Sequence, residues 1–211
     1  MLTRYGFLMS KIFTVQPPIN TQNDRLYAAT NKKSTVPSER LIKGRKHFSD
    51  SVMVSVAVSR SGKTQAHFVD KGTKIDGRYY RETLLHNSLL LDIRQKCANE
   101  FVFQPDGAPS HRTKLTVEFL LQNVPNFIES SVWPPSSPDL NHVDYAVWGA
   151  LQQAVYRYPN PIVSLNDLKD RVRTCWDKLD QEMVSKAIDQ CWPRLQAVVQ
   201  VHGGHIQQLF T

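Results

Sequence analysis

Residues 51–59, SVMVSVAVS, carry valine at every second position from 52 to 58. Four β-branched side chains at a period of two belong to a strand whose valines enter a core, since alternate residues of a strand share one face. The turn Arg60-Ser61-Gly62-Lys63 and the run QAHFVD at 65–70 make this strand half of a β-hairpin. A hairpin this apolar must be covered by another layer, so the rest of the chain has to supply one. With 211 residues and 41% hydrophobic content, the chain has the material for a core of its own. One domain over 1–211 is expected.

The layer is legible on both sides of the hairpin. YGFLMSKIFTV at 5–15 is rich in strand formers and predicts a first strand, followed to residue 50 by a long irregular segment holding Pro17, Pro18 and Pro37. From Arg78, Tyr80, Leu84 and Leu91 predict one face of a helix of about four turns. Phe101-Val102-Phe103 reads as a short buried strand. Leu115 and Phe119, four apart, predict a helix closing near Asn123, with a strand in NFIESSVW and a rigid turn in WPPSSPDLN. VDYAVWGALQQAVY predicts a helix bearing Asp144 in its first turn. Beyond residue 160 the apolar stripes Leu165, Leu168, Val172, Trp176, Leu179 and Val184, Ile188, Cys191, Leu195, Val198 predict helices. Ser164 and Asp167 form a cap, and Pro193 splits or kinks the last helix. The chain thus divides into a first strand and basic loop (1–50), a sheet-forming core (51–160) and a helical end (161–211). The expected class is α/β, a mixed sheet flanked by α-helices.

Charge and cysteine narrow the function. The net charge is +7, and residues 1–50 hold nine Lys or Arg against three acids, almost the whole excess. Lys32, Lys33, Arg40, Lys43, Arg45 and Lys46 form either a solvated basic loop or a surface for a phosphate backbone. Cys97, Cys175 and Cys191 are odd in number, without paired spacing, which predicts reduced, mostly buried thiols. No apolar stretch is long enough to span a membrane.

Two aspartates could carry chemistry. Asp106 follows the short strand at 101–103 in Pro-Asp-Gly, a sequence that also suits a plain turn. Asp144 could as well complement a helix N-terminus. Carboxylates from separate elements at a strand end are what a site for two divalent cations in phosphodiester cleavage requires. Asp139 reads as a turn former. His111 either caps a helix or touches substrate.

QPDGAPSH (104–111) resembles the QxDxAxxH block of mariner-like transposases of the Tc/mariner superfamily. WPPSSPDLNHVDYAVWGAL (133–151) resembles their (W/H)PPxSPDLxxxDxxxWxxL block. VMVSVAVSRSGKTQAHFVD, RYYRETLL and RLQAVVQVHGGHI resemble the same family in the same order. The resemblance implies a ribonuclease-H-like DDE/D catalytic domain in which three acids bind Mg²⁺ or Mn²⁺ for DNA strand cleavage and transfer. By motif, Asp106 is the second acid and Asp144 the third. DNA is the implied partner, in the nucleus, with no small-molecule substrate and room for a homodimer. His142 stands where the family often has proline, a change expected to be harmless.

The first acid is missing. The family pattern S-D-E-K-x-F-T-V falls on residues 8–15, where Met9 takes the place of the Asp and Ser10 that of the Glu. A thioether is soft and uncharged and does not replace a hard oxygen ligand for Mg²⁺. Asp24, Asp50 and Asp70 are substitutes by type but not by place. No helix-turn-helix reader is expected ahead of the first strand. These departures predict a DNA-binding domain with impaired cleavage, or one put to non-catalytic use as a DNA-binding or protein-interaction module.

Overall fold

The computed structural model describes residues 5–18, 49–98, 100–105, 107–129, 131–134, 137–157 and 160–210. The predicted hairpin is present. Strand β2 (Ser51–Ser59) pairs antiparallel with β3 (Gly62–Lys63) and β4 (His67–Val69), the turn closing at Gly62 with φ 141°. Its other edge pairs antiparallel with β1 (Tyr5–Thr14) over eight residues, from Phe7 opposite Val58 to Thr14 opposite Ser51. Next come β5 (Val102–Gln104), parallel to β1 with Phe7 opposite Gln104, and β6 (Asn126–Phe127), parallel to β5. The sheet is therefore mixed, in the order β3-β2-β1-β5-β6, with β4 also on β2. The strand expected in NFIESSVW shrinks to two residues.

The alternation of β2 decides where the layers go. Val52, Val54, Val56 and Val58 join Phe7 and Phe13 on one face, under Trp148, Leu151 and Val155 of α4 (Trp148–Tyr156) and Leu168, Val172 and Trp176 of α5 (Leu165–Lys178). Val184 and Ile188 of α6 (Gln181–Asp189) close that face. Leu8 and Ala57, one residue out of phase, point the other way with Val69. They pack on the helical stretch from α1 (Gly77–Tyr79) through Tyr80–Leu89 to α2 (Leu90–Cys97), and on α3 (Lys114–Asn123). A strand apolar on both faces is what a sheet covered on two sides needs.

The first helix departs from its predicted face. Residues Tyr80–Leu89 form a π-helix, in which Tyr80, Leu85 and Leu90 share a face at a spacing of five, as do Leu84 and Leu89; all are buried. Leu91, expected inside on a period of 3.6, is 55% exposed. Leu115 is also outside; Thr116 and Leu120 take the buried face of α3. Ser164 caps α5 as expected, accepting from the Asp167 amide at 3.1 Å. The last helix splits at Gln190, and Pro193 sits in the first turn of α7 (Cys191–Gln200), where a missing N–H costs least. Trp176, on its predicted stripe, is core, whereas Trp192 is 55% exposed. Cys175 and Cys191 are buried free thiols and Cys97 is partly buried, as read from the sequence.

Candidate functional site

Met9 lies on β1 between Phe7 and Lys11, on the strand face that meets the 133–156 segment. It packs partly buried against the same core as Val143 and Val147. Opposite it, Pro138–Leu140 makes a 3₁₀ turn, and Asn141 starts the next element. The Asn141 side-chain oxygen accepts from the Val143 amide at 3.0 Å, and its carbonyl accepts from the amides of Asp144 (2.9 Å) and Tyr145 (3.1 Å). Residues Val143–Val147 are π-helical, so Asp144 leaves a widened first turn before α4 begins. π-helical turns are enriched at functional sites because they re-aim side chains. Asp139 lies within the 3₁₀ turn, as expected of a turn former, while the side-chain bond to a following backbone amide is made by Asn141.

Lys11 connects the two elements. Partial burial lowers its pKa, and the Asp144 carboxylate opposes that by favouring the ammonium. Met9 and Lys11 thus share one face of β1, the thioether packed on the core of Val143 and Val147 and the ammonium within electrostatic reach of Asp144. Neither is a ligand for a hard divalent ion. Among the described residues no three His, Cys, Asp or Glu side chains gather where they could hold a metal ion.

Of the substitute acids, Asp50 is exposed and pairs with Lys71 at 3.0 Å, and Asp70 is exposed and pairs with Lys169 at 2.6 Å. Asp70 lies beyond β4, past the Met53–Val69 pairing, whereas Met9 faces Val56. Asp24 lies outside the described residues. So do Asp106 and the basic set Lys32, Lys33, Arg40, Lys43, Arg45 and Lys46. In the chain, position 106 follows Gln104, the last residue of β5, by two. His111 ends the 3₁₀ turn Pro109–His111 and is buried, its ring stacked on Tyr80 with centroids 3.7 Å apart. The α3 cap is Thr113, whose hydroxyl accepts from the Thr116 amide.

His142 is fully buried, its ring edge-on to Phe7 with centroids 4.1 Å apart, and among the described residues neither ring nitrogen has a hydrogen-bond partner. Burial pushes its pKa down to about 3, so the ring is neutral. Where the family often has proline, this chain has an imidazole that must be desolvated without compensation, which carries a cost.

Behind Asp144 the segment is held from the C-terminal helices. The Tyr145 hydroxyl donates to the Ala187 carbonyl at 2.5 Å. Burial, with Cys191 adding to it, holds that phenol above its usual pKa and so protonated. Arg194 of α7 donates to the Asp139 carbonyl at 3.1 Å, and the Cys191 thiol, its own pKa pushed up to about 11 by burial, reaches the Leu140 carbonyl at 3.7 Å. Sequence reasoning left Asn141, Tyr145 and Arg194 unremarked. The Asn three residues before Asp144, in cap position, was the available signal for the first.

No protein-family model matches the sequence. The chain is 26% identical over 160 residues, 75% of its length, to the Tcb2 transposable-element transposase of Caenorhabditis briggsae. It is 28% identical over 128 residues, 60% of its length, to the Tc1 transposase of Caenorhabditis elegans. It spans about half the length of these curated relatives, 55% and 44% respectively. Among solved structures, 97% of the chain superposes on the Mos1 transposase paired-end complex with left transposon end, at TM-score 0.77, 19% identity and 56% of that chain. The Mos1 mariner paired-end complex with Mn gives TM-score 0.77 at 18% identity, covering 97% of this chain and 57% of that one. The catalytic domain of Mos1 mariner transposase gives 0.69 at 17%, covering 97% and 84%. The fold is the ribonuclease-H-like one expected.

Proposed function

We propose that this chain, a homologue of the Tc1/mariner transposases with the fold of their catalytic domain, binds DNA and is impaired in metal-dependent strand cleavage and transfer. The observation that carries the proposal is Met9. The strand face turned toward Asp144 offers a thioether and the Lys11 ammonium where a carboxylate is required. Asp106 and Asp144 are then the two remaining acids of an incomplete site, holding Mg²⁺ or Mn²⁺ weakly. The Mos1 paired-end complexes, one with the left transposon end and one with Mn, support DNA as partner and a divalent ion as the ancestral cofactor. The basic residues between Lys32 and Lys46 supply a phosphate-backbone contact, and the nucleus is where such a chain would meet DNA. A homodimer, as in a paired-end arrangement, belongs to the same proposal.

Supercoiled plasmid in Mn²⁺ tests it, with the natural chain, Asp144→Ala, Met9→Asp and Met9→Asp/Asp144→Ala side by side. The expected result is nicking by Met9→Asp alone. Cutting by the natural chain at a rate that Asp144→Ala abolishes would overturn the impaired-cleavage reading.

A second reading, a protein-interaction module on the same fold, is favoured by α7, where Trp192 and Val199 are 55% and 75% exposed. A DNA affinity that barely changes between low and moderate salt would favour this second reading, because phosphate contacts release counterions.

A further inference from the structure

Arg194 is buried to within 8% of full enclosure, yet among the described residues no carboxylate pairs with it and its Nε has no partner. Instead its guanidinium lies between two aromatic rings, 4.0 Å from the centroid of Tyr145 and 4.5 Å from that of Phe210. One Nη1–H reaches the Asp139 carbonyl. Enclosing a cation without an anion is costly, and a Leu or Met would fill the same apolar cluster of Leu140, Ala197 and Ile206 without that cost. What the guanidinium supplies and an apolar side chain does not is a flat, directional link. It stacks on the residue next to Asp144 and hydrogen-bonds the backbone five residues before it.

Three polar contacts from α6 and α7 reach the Asp144 segment at this place. Arg194 takes Asp139, Cys191 takes Leu140, and Ala187 takes the hydroxyl of Tyr145. These fix the backbone on both sides of Asp144, from the 3₁₀ turn at Pro138–Leu140 to the π-helical turn at Val143–Val147. A π-helical turn is rare and occurs mostly as a single-turn insert in α-helices, frequently at functional sites.

We infer that Arg194 is a positioning residue for Asp144: with Tyr145 and Phe210 as its two walls, it clamps the π-helical turn so that the carboxylate stays aimed at β1. The inference rests on the proposed role of Asp144 as a site acid. It also assigns Phe210 a task, as the second wall of the clamp.

Native-state amide exchange tests it without any cleavage assay, on the natural chain, Arg194→Lys, Arg194→Met and Tyr145→Phe, with the Asp144 carboxyl carbon followed by NMR through a pH titration. Arg194→Met should speed exchange at residues 143–147 at least tenfold while amides of β1 and β2 keep their rates. Arg194→Lys should fall between, because it retains charge but not the planar stack. The Asp144 titration should shift in both. Uniform acceleration across the sheet, or unchanged rates at 143–147, would overturn the clamp. Should Arg194→Met not fold, Tyr145→Phe, which deletes only the bond to Ala187, must still loosen 143–147 selectively, and failure to do so has the same force. Nicking by Met9→Asp reports separately on the role of Asp144 itself, so the two ideas fail in different experiments.

Discussion

At the scale of single residues, two substitutions set the character of the chain. His142 is neutral in the fold with a pKa near 3 and protonates near 6.5 when unfolded. Below pH 6.5 the unfolded state therefore binds the extra proton, and stability falls as pH drops from 6.5 toward 3. Between pH 8 and pH 5 the loss from this one group is about 2 kcal/mol. Urea unfolding at the two pH values should show it, and His142→Leu should abolish that part of the loss while raising stability at both; an unchanged pH slope in the variant would acquit the imidazole. Met9 makes the complementary case. Met9→Asp sets a carboxylate on a partly buried face toward Asp144, so without metal it should lower stability by about 1–3 kcal/mol. Mn²⁺ should recover that loss by binding the folded state only. Thermal melts in EDTA and in Mn²⁺ check both halves, with the natural chain expected to gain much less from the ion than Met9→Asp.

At the scale of elements, contacts that no sequence window contains hold the helices to the sheet. The Tyr156 hydroxyl at the end of α4 donates to the Thr14 carbonyl (2.6 Å) and accepts from its amide (3.1 Å), tying α4 to the end of β1. Tyr156→Phe removes both bonds and should cost about 1–3 kcal/mol in chemical denaturation, with little change in the helical circular dichroism. Trp176 of α5 donates its indole N–H to the Thr64 carbonyl at 2.7 Å, and Lys63 lies 5.5 Å over the same ring while donating to the Trp176 carbonyl. Trp176→Phe leaves a buried carbonyl unpaired and should cost about 1–3 kcal/mol by the same measurement. The π-helix at Tyr80–Leu89 shows why periodicity misplaced Leu91. The stripe 80, 84, 91 fits an α-helix, but packing Leu85, Leu89 and Leu90 on the sheet selects a wider turn.

At the scale of the whole molecule, a mixed sheet covered on both faces places β1 in its middle, between β2 and β5. Candidate site residues from the start and the middle of the chain are thereby brought to one strand face. If the chain binds DNA through phosphates, log affinity should fall linearly with log salt, by about 0.9 per phosphate neutralised. A filter-binding series across salt concentrations measures the slope, and neutralising Lys32, Lys33, Arg40, Lys43, Arg45 and Lys46 together should flatten it. By itself the sequence determined the hairpin, the order of strands and helices, the cap at Ser164 and the thioether at position 9. Each of these depends on residue type and near neighbours, which one dimension records. Only the tertiary structure decided that Met9 and Lys11 share the face toward Asp144, that His142 is sealed without a partner, and that Arg194 grips the turn from 50 residues away. Those depend on which surfaces meet when layers close, and that pairing is set by packing the whole core at once.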